Sequence, residues 1–337
     1  MSRVYLDWNA TAPLRTEARL AMIAAMDCLG NPSSVHGEGR AAKAIVEKAR
    51  GQVAEAIGAS GADIVFTSGA TEAAALALAG QDYSGSGFEH DCVFAWIGNE
   101  PRPLSQTAHQ QANGEIGVVF DVKEGTGLSD SVQAFGKIPY SFAWSGAERA
   151  IISSHKFGGP KGTGALIIKQ GIEVHPTLKG GGQEMGRRSG TENVIGIAGM
   201  GAAAEAAQRD LASGIWDEVA KRRDAMESQL LNEVPDMLIF GKDVPRLPNT
   251  SYFAVPGWKA ETQVMQMDLA GFAVSAGSAC SSGKVKASRV LKAMGYDEVT
   301  AGSAIRVSIG PSTTKEELDS FAQAWLKEYR RFKARAA

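Results

Sequence analysis

The stretch at 150–169, A-I-I-S-S-H-K-F-G-G-P-K-G-T-G-A-L-I-I-K, decides the fold. Its two apolar ends, 150–153 and 165–169, read as buried strands, and they enclose a polar, glycine-rich segment. Lys156 follows directly on the first strand. A buried ammonium is costly, and an imine with a carbonyl cofactor removes that cost. A solvated loop lysine explains the motif alone equally well. The flanking glycines favour a ligand, because they let the backbone approach one closely.

Working outward, helical and strand patterns alternate, which predicts an α/β class. Residues 15–29 and 38–57 read as amphipathic helices, the second with Ala41, Ala44, Ile45, Ala49, Val53 and Ile57 at helical spacing. The run D-I-V-F-T at 63–67 reads as a buried strand that ends in Ser68-Gly69-Ala70-Thr71 and an Ala/Leu-rich helix. Residues 193–234 are helix-rich, with a break at Ser213-Gly214. Beyond Pro245, short strands (250–255, 272–276, 304–309) alternate with helices (259–269, 286–294, 314–334), the pattern of a second, smaller α+β lobe.

A chain of 337 residues exceeds what one core usually serves, so two lobes are expected. With 44% hydrophobic and 21% charged residues the composition is that of a globular protein, and a net charge of -2 gives no reason to expect nucleic acid or a membrane surface. No apolar run is long enough to span a bilayer, and no leader pattern opens the chain. Cys28, Cys92 and Cys280 form no CxxC pair, which argues against a disulfide framework or a metal site and fits a reducing cytoplasm.

Five further motifs carry chemistry. Ala70 and Thr71 open a helix after a strand, the setting of a phosphate site, although by itself the motif is more often a helix cap. Asp130 and Gln133 could face a pyridine nitrogen and its ring hydroxyl, but surface residues at this spacing are common. His90, in F-E-H-D-C, could stack on a ring and move protons, although a lone histidine is more often structural. Cys280, in V-S-A-G-S-A-C-S-S-G, sits among small residues with the access a reactive thiol needs. Arg306, in a strand pattern, needs a partner: either a carboxylate ligand or an internal salt bridge.

Taken in order, these motifs resemble the group I cysteine desulfurases, the NifS/IscS type. The matching segments run from Y-L-D-W-N-A-T-A-P through G-N-P-S-S-V-H, I-V-F-T-S-G-A-T-E, E-H, N-G-E-I-G-V-V, S-S-H-K-F-G-G-P-K-G, G-G-G-Q-E and R-S-G-T-E-N to G-S-A-C-S-S-G. The resemblance implies a pyridoxal-phosphate fold type I, aspartate aminotransferase-like, with a large α/β domain built on a mainly parallel sheet (13–210) and a small α+β domain (1–12 plus 211–337). It implies that Lys156 holds pyridoxal 5'-phosphate, His90 stacks on it, Asp130 and Gln133 face the ring, and Ala70, Thr71, Ser153 and His155 hold its phosphate. Thr191 would reach the phosphate of a neighbouring subunit in a homodimer. Arg306, Asn31 and Asn113 would bind the substrate L-cysteine, and Cys280 would take its sulfur as a persulfide, leaving L-alanine. The persulfide would pass to an acceptor for iron–sulfur cluster assembly.

Within the large domain the sequence departs from that pattern in two places. The family's Asn-Asn-Glu stands here as Asn113-Gly114-Glu115, and the large domain is shortened between about 91 and 130. Two alternatives therefore stand beside the desulfurase: another fold type I enzyme, such as an aminotransferase or selenocysteine lyase, or an inert scaffold paralogue.

Overall fold

A computed structural model describes residues 3–276 and 287–336; the Cys280 loop lies outside the described residues. The chain divides into two compact units. The larger comprises 11–112 and 120–213, the other 3–10, 113–119 and 214–336. The short segment 113–119 thus belongs with the C-terminal unit, although the sequence division assigns it to the large domain.

A five-stranded sheet organises the larger unit, in the order Asp63–Thr67, Gly164–Ile168, Arg149–Ser153, Leu128–Asp130, Ala108–Gln110. Gly164–Ile168 runs antiparallel to both neighbours while the next pairings are parallel, so four of the five strands point the same way. Alternate side chains fill opposite faces, as strand periodicity demands. Ile64, Phe66, Ile152 and Ile167 pack on one side with the helices Gly37–Ala56 and Val194–Ala212. Val65, Ile151, Leu166 and Ile168 pack on the other with Ala70–Leu78. Helix Val194–Ala212 approaches its neighbours closely because its facing residues are small: a Cβ on Gly201 would stand 2.7 Å from the Ala49 Cα.

The expected break after residue 212 is a left-handed turn at Gly214 (φ 75°), a conformation glycine adopts without strain. The described elements of the shortened region are all short. Between His90 and Asn113 stand only a four-residue helix (Asp91–Phe94), a short strand (Ile97–Gly98), a 3-10 turn (Leu104–Gln106) and the edge strand. The five strands that carry the candidate residues form one sheet.

The other unit centres on an antiparallel sheet, Ala304–Ser308, Thr250–Ala254 and Leu238–Ile239 in that order. Helices Ile215–Glu233, Ala260–Leu269 and Lys315–Ala336 accompany it. Its core is aromatic: the Trp325 ring lies 5.4 Å from Phe253 and 5.1 Å from Trp258. Gln263 accepts the Trp325 indole N–H at 3.0 Å and donates to the Trp258 carbonyl at 2.7 Å, so the buried amide is satisfied.

Candidate active site

In the larger unit the candidate residues gather at the ends of strands. Ser153 closes the strand Arg149–Ser153, and Ser154–Lys156 follows as a single 3-10 turn that leaves His155 and Lys156 half-buried. Asp130 ends the neighbouring strand and is buried; its Oδ1 accepts the Val132 N–H at 3.0 Å. Burial raises the Asp130 pKa, and the charges of His90 and Lys156 with the Val132 N–H oppose that rise. Asp130, His90 and Lys156 are therefore electrostatic neighbours, although the sequence separates them by 26 residues or more.

His155 marks the positive end of the site. Its pKa falls to about 4, first through burial and then through the charges of Lys156, Lys161 and Lys137. Its Nδ1 and the Ser154 hydroxyl are buried with no hydrogen-bond partner. The orphaned His155 Nδ1, in the field of three lysines, is suited to an anion, because charge and a hydrogen bond would both be satisfied. Nearby, Gly69 precedes the helix Ala70–Leu78 with no side-chain cap, and Thr71 is exposed on the first turn. The backbone is crowded there: a Cβ on Gly164 would stand 2.7 Å from Gly69. These features fit a phosphate-bearing cofactor with Asp130 opposite its ring nitrogen.

Gln133 is buried, and its Oε1 accepts from Lys137 Nζ at 2.6 Å. The group it can offer a ligand oxygen is therefore its amide N–H. Sequence reading missed Lys137; its place four residues after Gln133 on a turn of helical type was the available signal. His90 is exposed and caps the short helix Asp91–Phe94.

The loop 180–191 ends in the exposed Thr191. Glu184 and Met185 hold positive φ angles of 49° and 58°, unusual for residues with a Cβ. Three ion pairs hold the loop: Arg50 to Glu184 (2.8 Å), Arg187 to Asp63 (2.7 Å) and Arg188 to Glu72 (2.8 Å). Gln183 also reaches Ser33 at 3.5 Å, where a groove of about 1230 Å³ runs between the 32–35 and 182–185 loops. Asn31 is exposed, and its side chain accepts the Ser33 N–H at 2.9 Å as a turn former.

In the C-terminal unit Arg306 is not open. It pairs with Asp7 at 2.8 Å and donates to the Gly114 carbonyl at 2.9 Å, while its buried Nε has no hydrogen-bond partner. Of the two readings of the sequence, the internal salt bridge is thus formed. Asn113 likewise serves the fold: its Oδ1 accepts the Glu115 and Ile116 N–H groups at 2.8 and 3.0 Å. Among the described residues no group of three or more His, Cys, Asp or Glu is placed to hold a metal, and no helix is long and apolar enough to cross a membrane.

The family model for class-V aminotransferases matches residues 4–93 and 107–321. The gap falls in the shortened region. A cysteine desulfurase of Cereibacter sphaeroides is 37% identical, covering 95% of this chain and 94% of that protein. The cysteine desulfurase IscS of Dictyoglomus turgidum is 36% identical, covering 94% and 92%. Among solved structures, a NifS-like protein from Rickettsia africae superposes with a TM-score of 0.87 at 31% identity, covering 97% of this chain and 99% of that one.

Proposed function

This chain belongs to the class-V aminotransferase family, and from that premise we propose that it is a cysteine desulfurase that uses pyridoxal 5'-phosphate. The family is one of pyridoxal-phosphate enzymes. The observation that carries the reading is the grouping of Lys156, Asp130 and His90 at one sheet end, with His155 in the field of three lysines. It is joined by the extent of the similarity to cysteine desulfurases.

Lys156 would hold the cofactor through its amine, and Ala70, Thr71, Ser153 and His155 its phosphate, with Thr191 of a second copy completing the set in a homodimer. When bound, the cofactor supplies a carbonyl that condenses with amines and a ring that accepts the electron pair released at Cα. Asp130 would hold the proton on the ring nitrogen, and the Gln133 amide would donate to the ring oxygen. Lys156 would remove the Cα proton, and His90 would carry the thiol protons. The substrate carboxylate replaces Asp7 on Arg306, assisted by Asn31 and Asn113. The Cys280 thiolate attacks the substrate sulfur; the S–S bond forms as the C–S bond breaks, and the carbon takes a proton. L-Cysteine and the Cys280 thiol thereby become L-alanine and the Cys280 persulfide, with all atoms conserved. An acceptor for iron–sulfur cluster assembly then takes the sulfur.

The test is an absorbance spectrum of the purified protein with pyridoxal phosphate, followed by L-cysteine and assays for alanine and sulfide. A cofactor band that changes with cysteine, with alanine formed, supports the reading. A protein that stays colourless overturns it in favour of an inert paralogue. A coloured protein that makes no alanine from cysteine points to another enzyme of the fold.

A further inference from the structure

Glu89 is a buried acid that the proposed reaction does not use. Its side chain is wholly buried, immediately before His90. One carboxyl oxygen accepts the Ser86 hydroxyl at 2.8 Å, and the carboxyl also accepts the backbone N–H of Gln110. Gln110 answers with a second link, its side chain donating to the Phe88 carbonyl at 2.7 Å. Gln110 lies on the strand Ala108–Gln110, where its cross-strand partner is Asp130. The segment 86–90 is thus fastened to the strand that pairs with Asp130.

We infer that Glu89 is a positioning residue for this site: its carboxyl group holds the segment carrying His90 against the strand beside Asp130. A consequence, which rests on the reading of Asp130 as the partner of the ring nitrogen, is that below about pH 7 Glu89 holds a proton and leaves the negative charge to Asp130. Two carboxyl groups buried near one another do not both ionise readily. Ionisable groups that face Glu89 include Asp130 on one strand and His109 on the next, whose Nδ1 lies 4.0 Å from Glu89. Burial and Lys123 hold His109 below its ordinary pKa, so it adds no stabilising charge near neutrality. Burial first, with Asp130 adding to it, raises Glu89 from its ordinary 4.5 to about 7.

The sign of the consequence follows. Between about pH 4.5 and 7 the folded chain holds a proton that the unfolded chain has released. Stability from this group therefore falls as pH rises through that window and stays low above it. Glu89→Gln keeps a neutral amide of the same shape.

The experiment compares the full-length protein with Glu89→Gln and Glu89→Ala variants. Without cofactor, thermal melting is followed from about pH 5 to about pH 8. The Glu89→Gln protein is expected to gain in melting temperature over the wild type as pH rises, with the gap levelling above about pH 7. A gap that does not change with pH overturns the proton assignment. With pyridoxal phosphate at about pH 6.5, kcat for alanine formation is expected to fall about tenfold in Glu89→Ala with little change in KM, and Glu89→Gln to stay within about twofold of wild type. A Gln variant as impaired as Ala overturns the positioning role. If Glu89→Ala does not fold, Glu89→Asp, one methylene short of Gln110, takes its place. A wild type that forms no alanine sinks the desulfurase reading instead, and the cofactor-free melts then decide the inference alone.

Discussion

The Nδ1 of His90 accepts the backbone N–H of Cys92 at 3.2 Å and lies 3.0 Å from the Cys92 sulfur. The Thr71 hydroxyl hydrogen-bonds that same sulfur. Burial, with Asp130 adding to it, pushes the Cys92 thiol up to about 12, so it stays an S–H donor at any working pH. With Nδ1 committed as acceptor, the neutral imidazole carries its proton on Nε2. Cys92 thus joins the helix start at Thr71 to the imidazole of His90, and it is no rival to Cys280 as a nucleophile.

Removing that thiol should loosen the imidazole. Cys92→Ala is expected to cost about 1 kcal/mol of transition-state stabilisation, roughly fivefold in kcat, and Cys92→Ser to restore most of it. Steady-state alanine formation measures the rates, and nitrogen NMR of the His90 ring reads the tautomer. An unchanged tautomer and rate in Cys92→Ala would refute the link.

Lys156 and Cys280 should separate by spectrum. Lys156→Ala is expected to abolish alanine formation and the absorbance band of the lysine-bound cofactor. Cys280→Ala is expected to keep that band and its response to L-cysteine while losing sulfur release by about a hundredfold or more. Desulfuration that survives in Cys280→Ala would show that the sulfur takes another route.

The pair Arg50–Glu184 should hold the strained 184–185 turn. Arg50 donates to both oxygens of Glu184, which also accepts the Phe66 N–H at 2.9 Å. Arg50→Ala leaves a buried carboxylate unpaired and is expected to cost about 3–5 kcal/mol in denaturant melts. Arg50→Met combined with Glu184→Gln should recover a large part of that loss. A single variant as stable as wild type would show that the turn needs no such anchor.

His155 should make the cofactor-free protein sensitive to acid. Its folded pKa of about 4 lies below the ordinary 6.5, so between those values the unfolded chain binds the extra proton. Stability should fall as pH drops through that window, by on the order of 2 kcal/mol after allowing for its partial exposure. Added inorganic phosphate should reduce the loss, because an anion beside the three lysines favours the protonated ring. Melting temperatures with and without phosphate, in wild type and His155→Asn, provide the check.

Local pattern was enough to read much of the fold. The strands at 63–67, 149–153 and 164–168 and the helix break at Gly214 follow from apolar runs and glycine placement, which act over a few residues. The motifs around Lys156 and Cys280, taken in order with the others, carried the resemblance to cysteine desulfurases, and the family comparison agrees with it. Only the tertiary structure decided which residues face one another. Asp7 pairs with Arg306 across 299 positions, Lys137 takes the Gln133 oxygen, and Glu89 reaches the strand that pairs with Asp130. Sequence periodicity fixes the face on which a side chain lies, whereas its charge partner is set by strand pairing and burial, and these bring together residues far apart in the chain.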